Sequence, residues 1–590
     1  MEPRKREEVA EEYRWDLEKI YTGKEGWEEE FEETGEKIER CEDYDGRVTE
    51  SPETLKEVLE LYEEVMRKTG KLTVYARMKR DQDTRDQDAQ ALNSRAQNLS
   101  SRASSATSFI RTEIQQTDRE TLEEYMETDE LSRYRHYLED VLRLKPHTRS
   151  KEVENVLAEL GEVLGGPGEV YNTFTNADLE FPEVERDGET VRITQSNFTN
   201  LLKDEDRDFR KTVHEKFYDR LSEFKNTIGT TLEKQVRTNI KTARIRNYDS
   251  AREASLKPAN IPVSVYDNLL EVVNENTDVL RRHVELKKEA LGNDGMKSWD
   301  VYMPAVEGEQ PEIGFDEAKR HVLNAVQPLG DEYVSQMERG LESRWIDVYE
   351  THGKRSGAYS GGAYDTEPYI LMNYHRDISS MYTLAHELGH SMHSYFTRKN
   401  QPYIYSDYEI FVAETASTVN EQLLTHHLLN EVEDERLKRF ALDHQLENFR
   451  TTLFRQAMFA EFEKEIHEKA EAGQPLTPDA VDEVYRGLKE RFYGEEFMDD
   501  RISREWMRIP HFYWTFYVYQ YSTGISAAAA LKQKILSGEA ENYLEFLKAG
   551  SSDYPLQLFH QLGIDMSSKS PVEDAIEEYA RDLERLESLQ

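Results

Sequence analysis

The chain is short of cysteine, of glycine and proline, of basic residues relative to acidic ones, and of long apolar runs. Cys41 is the one cysteine in 590 residues, so no internal disulfide can form, and a reducing, cytoplasmic location is expected. Residues 1–15, MEPRKREEVAEEYRW, lack the apolar stretch of a secretory leader. No run approaches the ~20 apolar residues that a membrane-spanning helix needs. The small-residue run at 527–530 is followed at once by Lys532 and Lys534. Basic residues number 76 against 118 acidic, a formal net charge of −42, which repels phosphate backbones and anionic lipid surfaces. Nucleic-acid and membrane partners are therefore not expected.

What remains is the composition of a packed protein. With 37% hydrophobic and 10% aromatic residues, and Tyr, Phe and Leu recurring at helical spacing, the charge excess reads as an acidic shell on a core rather than as disorder. Such a shell suits a salt-rich cytoplasm, where screening relieves its self-repulsion. Only 29 Gly and 17 Pro interrupt long segments of Glu, Lys, Arg, Leu and Ala, so the fold class is mainly α. Helices are predicted over 11–43 on either side of Tyr21-Thr22-Gly23, over 51–117 as a pair, over 119–165, and over about 196–293 with a break at Pro258 and Pro262. They resume from 379, with a long amphipathic stretch at about 433–472. Gly165-Gly166-Pro167-Gly168 is a candidate hinge. Residues 179–184 and 190–194 alternate around Asp187-Gly188, a hairpin signal. A second non-helical region is predicted at roughly 298–375, with short strands at 299–302 and 368–374 around a glycine-rich stretch at 352–362. The expected division is an N-terminal helical part, 1–200, including the hairpin near 179–194, and a second part, 201–590, that carries the chemistry.

That chemistry rests on His386-Glu387-Leu388-Gly389-His390, on the helix predicted from 379. Histidines four apart share a face about one turn apart, so both imidazoles can reach one metal ion, while Glu387, about 100° round from His386, can face a water on it. With 16 histidines in the chain and at most one residue in five being Glu, chance yields roughly 0.09 such patterns. The third ligand is less direct. A longer pattern with Gly three and His six residues after the second His fails, because those positions hold His393 and Phe396. His393 lies two turns from His386, too far to share one tetrahedral site, and is read as structural or supporting. A carboxylate from the next helix remains. Glu409 and Glu414 follow His390 by 19 and 24 residues. They stand about 140° apart on a helix, so both can hardly face one ion. Glu409 has nearly the spacing of thermolysin-like and aminopeptidase-type zinc enzymes, and spacing alone does not decide between the two.

The run HELGHSMHS at 386–394, followed by FVAETAST at 411–418, closely resembles the zinc site of the thimet oligopeptidase and oligoendopeptidase F family. The stretch KRSGAYSGG at 354–362 and the strand at 368–374 look like the family's segment before the zinc helix. Trp15-Asp16-Leu17 with Ile20-Tyr21, and HFY at 511–513 with FYVYQY at 516–521, are also similar to oligoendopeptidase F. The resemblance implies one Zn2+ held by His386, His390 and Glu414, with Glu387 as general base. It further implies His511, with Tyr519 and Tyr517, as donors to the carbonyl oxygen under attack. Two helical lobes flanking a deep substrate channel, a small β-sheet near the zinc helix, and short unstructured peptides as substrates are implied as well. The expected activity is hydrolysis of internal peptide bonds. Two readings compete: a zinc aminopeptidase using Glu409, and a peptide-binding protein of the same fold, which would have no use for Glu387. Trp514, Phe516 and Tyr513 are read as core, and the strand from Tyr369 as an edge for an extended peptide. His375 and Asp377 are supporting contacts or surface residues.

Overall fold

The structure, a computed structural model, describes residues 4–589. Helices make up most of it, and its strands are confined to two small sheets. No helix among the described residues is long and apolar enough to cross a membrane. The chain forms two compact units, each assembled from separate stretches. Unit one holds the described residues up to Thr148, Gln310–Val432 and Leu531–Gly563; unit two holds Arg149–Glu309, Glu433–Ala530 and the residues from Ile564 onward.

A single division at residue 200 therefore does not describe the chain. Residues on both sides of it lie in unit two, because the hairpin region is clamped to the helix Arg207–Ser222. Phe181 and Phe198 stack on Phe217 at 4.4 and 3.9 Å, and Lys216 and Arg220 donate to the carbonyls of Glu183 and Glu180. The hairpin itself pairs Glu183–Arg186 with Glu189–Arg192, and Asp187 and Gly188 both take positive φ, as a two-residue turn of this kind requires. The cluster of glycines at 165–168 lies inside the helix Gly161–Thr173.

In unit one the paired helices Pro52–Gln82 and Gln87–Gln116 are capped by Ser51 and Asp86, whose side chains accept from the first-turn amides. Residues 11–20 have helical composition but form only short 3-10 turns. Tertiary anchors override the local preference: Trp15 Nε1 donates to the Ile370 carbonyl at 2.8 Å, and Arg6 and Lys354 both grip Asp347, which is 2% exposed. Burial by itself would raise the Asp347 carboxyl; the Lys354 charge and the Arg6 hydrogen bond more than reverse it and hold it below its ordinary value. A depressed carboxylate stabilises the fold above its unfolded value of about 4 and loses that contribution as pH falls through its lower folded value. Unfolding measured against pH is expected to show this acid-side loss, and Asp347→Asn to remove it. At neutral pH the variant should be about 3–5 kcal/mol less stable, the usual cost of leaving a buried charge without its partner.

Two departures occur between 298 and 375. Residues 299–302 form a turn rather than a strand, because buried Asp300 is held by Arg207 and Arg210 at 2.8 Å each. Two helices, Phe315–Ala325 and Asp331–Glu342, start immediately after Gly314 and Gly330. The second sheet has the order Ile346–Asp347, Tyr369–Leu371, Tyr359–Gly361, parallel then antiparallel. Tyr369–Leu371 is thus the central strand with both edges paired, and Tyr359–Gly361 is an edge. This sheet leads directly into the helix Ile378–Asn400.

Candidate metal centre

The helix Ile378–Asn400 begins where Asp377, in extended backbone, accepts from the Ser380 amide at 2.7 Å, while Ser380 Oγ accepts from the His375 amide. Asp377 is therefore a helix cap, and His375 is exposed. The helix Ile410–Glu431 packs on it and is buried along most of its length. Gly389 permits the close approach: a Cβ there would stand 2.6 Å from Ser417 Cα and 2.8 Å from the Ala416 carbonyl. Asn420 fixes the register by donating to the Ala385 carbonyl at 3.2 Å and accepting from the Tyr333 hydroxyl at 2.9 Å. Gly389→Ala must push backbone from backbone. It is expected to lower stability by about 1–3 kcal/mol, as overpacking usually does, and to weaken metal binding, read by thermal unfolding and chelator competition.

Across this contact His386, His390 and Glu414 each bring one ligand atom within 4.8 Å of the others. The two Nε2 atoms face each other at 3.1 Å, and Glu414 Oε2 lies 3.9 Å from His386 Nε2. Glu421, seven residues beyond Glu414 and so on nearly the same stripe of the helix, meets His386 Nδ1 at 2.5 Å. That contact commits Nδ1 and leaves Nε2 for the centre. Sequence reasoning missed Glu421, although its seven-residue spacing from Glu414 was a signal. Burial pulls the His386 pKa down, but the Glu421 hydrogen bond and the charges of Glu421, Glu387 and Glu414 prevail and raise it to about 9. A cation arriving at neutral pH must displace that proton. His390 is pushed well below its ordinary value by burial and by His386, so its lone pair is available.

Glu387 is 7% exposed and stands beside this group. Burial raises its pKa to about 7; His386 opposes the shift, Glu414 adds to it, and a backbone hydrogen bond from Ser360 on the edge strand opposes it. Glu409 takes the extended N-cap position ahead of the second helix, is exposed, and does not belong to the cluster. His393 is fully buried, stacked on Tyr408 at 3.6 Å with Phe546 at 6.1 Å on its ring, and burial keeps it neutral with a pKa of about 3.

His511 and the tyrosines belong to unit two. His511 lies 6.3 Å from the Tyr517 ring and 6.1 Å from that of Tyr521, which are themselves 5.5 Å apart. Tyr519 faces elsewhere: it is 3% exposed and packs on Tyr266 at 5.1 Å. Tyr517 lies just ahead of the helix Tyr519–Leu536, and Tyr519 and Tyr521, two apart at its start, point to different sides. Trp514, read from sequence as core, is 48% exposed and leans on His511 at 4.8 Å. Tyr513 stacks on Tyr171, and Phe516 is buried. Phe516 has φ +50, a strained conformation held by its amide, which donates to buried Glu463 at 2.6 Å, and by Ser255 Oγ, which donates to the Thr515 carbonyl.

Residues 200–578 match the family model Peptidase family M3, and residues 113–181 match Oligopeptidase F. The chain is 44% identical over 590 residues to oligopeptidase PepF of Bacillus subtilis, covering 99% of this chain and 88% of that protein. It is 39% identical to the group B oligopeptidase PepB of Streptococcus agalactiae, covering 99% and 98%. The solved structure of oligoendopeptidase-F from Enterococcus faecium superposes with a TM-score of 0.75 at 36% identity, covering 95% of this chain and 98% of that one.

Proposed function

The chain belongs to peptidase family M3, and from that premise we propose that it is a zinc-dependent endopeptidase cutting internal bonds of short, unstructured peptides. The observation that carries this reading is the convergence of His386 Nε2, His390 Nε2 and Glu414 Oε2 beside the buried carboxyl of Glu387. Two imidazoles and a carboxylate suit Zn2+, and the 3.1 Å between the two Nε2 atoms is close to the ~3.3 Å edge of a tetrahedron with ~2.05 Å bonds. Bound there, the ion supplies a water of lowered pKa and polarises the peptide carbonyl.

Glu387 takes the proton from the attacking water and returns it to the leaving amine; a pKa raised toward 7 lets one carboxyl do both near neutrality. Glu421 keeps His386 turned with Nε2 inward. The edge strand Tyr359–Gly361 offers an extended peptide a backbone to pair with, which reads main chain rather than side chains and gives broad sequence tolerance. We assign the donors to the developing oxyanion to His511 with Tyr517 and Tyr521, which cluster together, and give Tyr519 a packing role. Removing metal with a strong chelator is expected to abolish peptide hydrolysis, and one equivalent of Zn2+ to restore it. Hydrolysis by the metal-free protein would overturn the reading.

A further inference from the structure

The segment that joins His511 to Tyr517 consists of successive turns: the Trp514 amide donates to the His511 carbonyl at 2.9 Å, and the Tyr517 amide to the Trp514 carbonyl at 3.1 Å. Phe516 is the third residue of the second turn, and its φ of +50 is a value that calls for Gly or Asn at that place. A bulky side chain stays in that region only where its surroundings over-determine it. They do so here from several sides. The buried Phe516 ring lies 4.6 Å from His467 and 5.8 Å from Tyr266. Ser255 Oγ donates to the Thr515 carbonyl at 2.7 Å, and the Phe516 amide donates to Glu463 Oε1 at 2.6 Å.

Glu463 stands on the helix Arg455–Glu471 and is 0% exposed. Burial raises its carboxyl well above the ordinary range, opposed by the hydrogen bond from the Phe516 amide, and its second oxygen is buried without a hydrogen-bond partner. A carboxyl so placed stays protonated and serves as a neutral acceptor. What it holds is the direction in which the chain leaves the turn. Relaxing Phe516 to negative φ would re-aim Tyr517, the next residue, and a displacement of ~1 Å near a reacting group can cost about 100-fold in rate. Building on the assignment of His511 and Tyr517 as oxyanion donors, we propose that Glu463 is a positioning residue for peptide hydrolysis: by accepting from the Phe516 amide it locks the turn that sets Tyr517 relative to His511.

The test is steady-state peptide hydrolysis by variants of the full chain, with zinc content measured on the same samples. Glu463→Leu fills the space without an acceptor; kcat is expected to fall on the order of 10- to 100-fold, with KM within about 3-fold of native and zinc retained, since the metal cluster lies in unit one. Glu463→Gln keeps an accepting oxygen and adds no charge, so kcat is expected within about 3-fold of native. Should the leucine variant fail to fold, Ser255→Ala carries the test: it removes the hold on Thr515 at a half-buried position, and a several-fold loss confined to kcat is expected. Native kcat in Glu463→Leu, or in Ser255→Ala where the former does not fold, while Tyr517→Phe is slow, would overturn the inference and leave the donors standing. Native kcat in both Tyr517→Phe and His511→Ala would overturn the donor assignment and the inference with it. A glutamine variant as slow as the leucine one, or a loss matched by raised KM or missing zinc, would also overturn the inference.

Discussion

Glu387→Gln is expected to bind zinc as tightly as the native chain and to hydrolyse peptides on the order of 10^2- to 10^4-fold more slowly. The amide keeps the size of the carboxylate in a place where the residue is 7% exposed, so the helix and both histidines stay where they are. What is lost is the acceptor for the water's proton. The native rate must also fall as pH drops through the Glu387 pKa, because only the ionised carboxylate is a base. Burial raises that value to about 7 in the metal-free protein, and a cation beside it lowers it, so the acid limb lies at or below pH 7 and is missing from the variant's residual rate. Steady-state kinetics across pH, with metal content measured on the same samples, check both statements.

The second large effect separates two acids five residues apart. Glu414→Gln is expected to lose zinc by more than the roughly 10- to 100-fold that removal of a supporting contact costs, because it removes a donor atom itself. Glu409→Gln is expected to retain it, since Glu409 is exposed ahead of the helix and outside the cluster. Chelator competition on the two variants reads the difference. Zinc lost only from the Glu409 variant would move the third ligand and, with it, the activity toward trimming of N-terminal residues.

How far this was legible in the sequence depends on how local each feature is. His386, Glu387 and His390 follow from helical spacing within five residues, and the hairpin from Asp187-Gly188. The choice between Glu409 and Glu414 did not follow from spacing, because it depends on where the second helix begins: Glu409 is still extended, φ −64 and ψ 148, and Glu414 is one turn in. The Gly389–Ser417 contact and the Glu421–His386 bond are products of helix packing across nearly 30 residues or more, which no periodicity records. Residues 11–20 mislead in the opposite sense. Their composition is helical, yet Trp15 and the Asp347 anchor hold them out of a helix through contacts more than 300 residues away. Tyr519 shows a finer limit, since a tyrosine-rich run says nothing of which rings share a face until the start of the helix at Tyr519 is fixed.

The most direct test of the central claim is mass spectrometry of a mixture of short peptides incubated with the zinc-loaded chain in high salt, beside Glu387→Gln. The expected result is paired internal fragments from the native chain and almost none from the variant. Stepwise loss of single N-terminal residues, or intact peptides while zinc remains bound to the native chain, would contradict it.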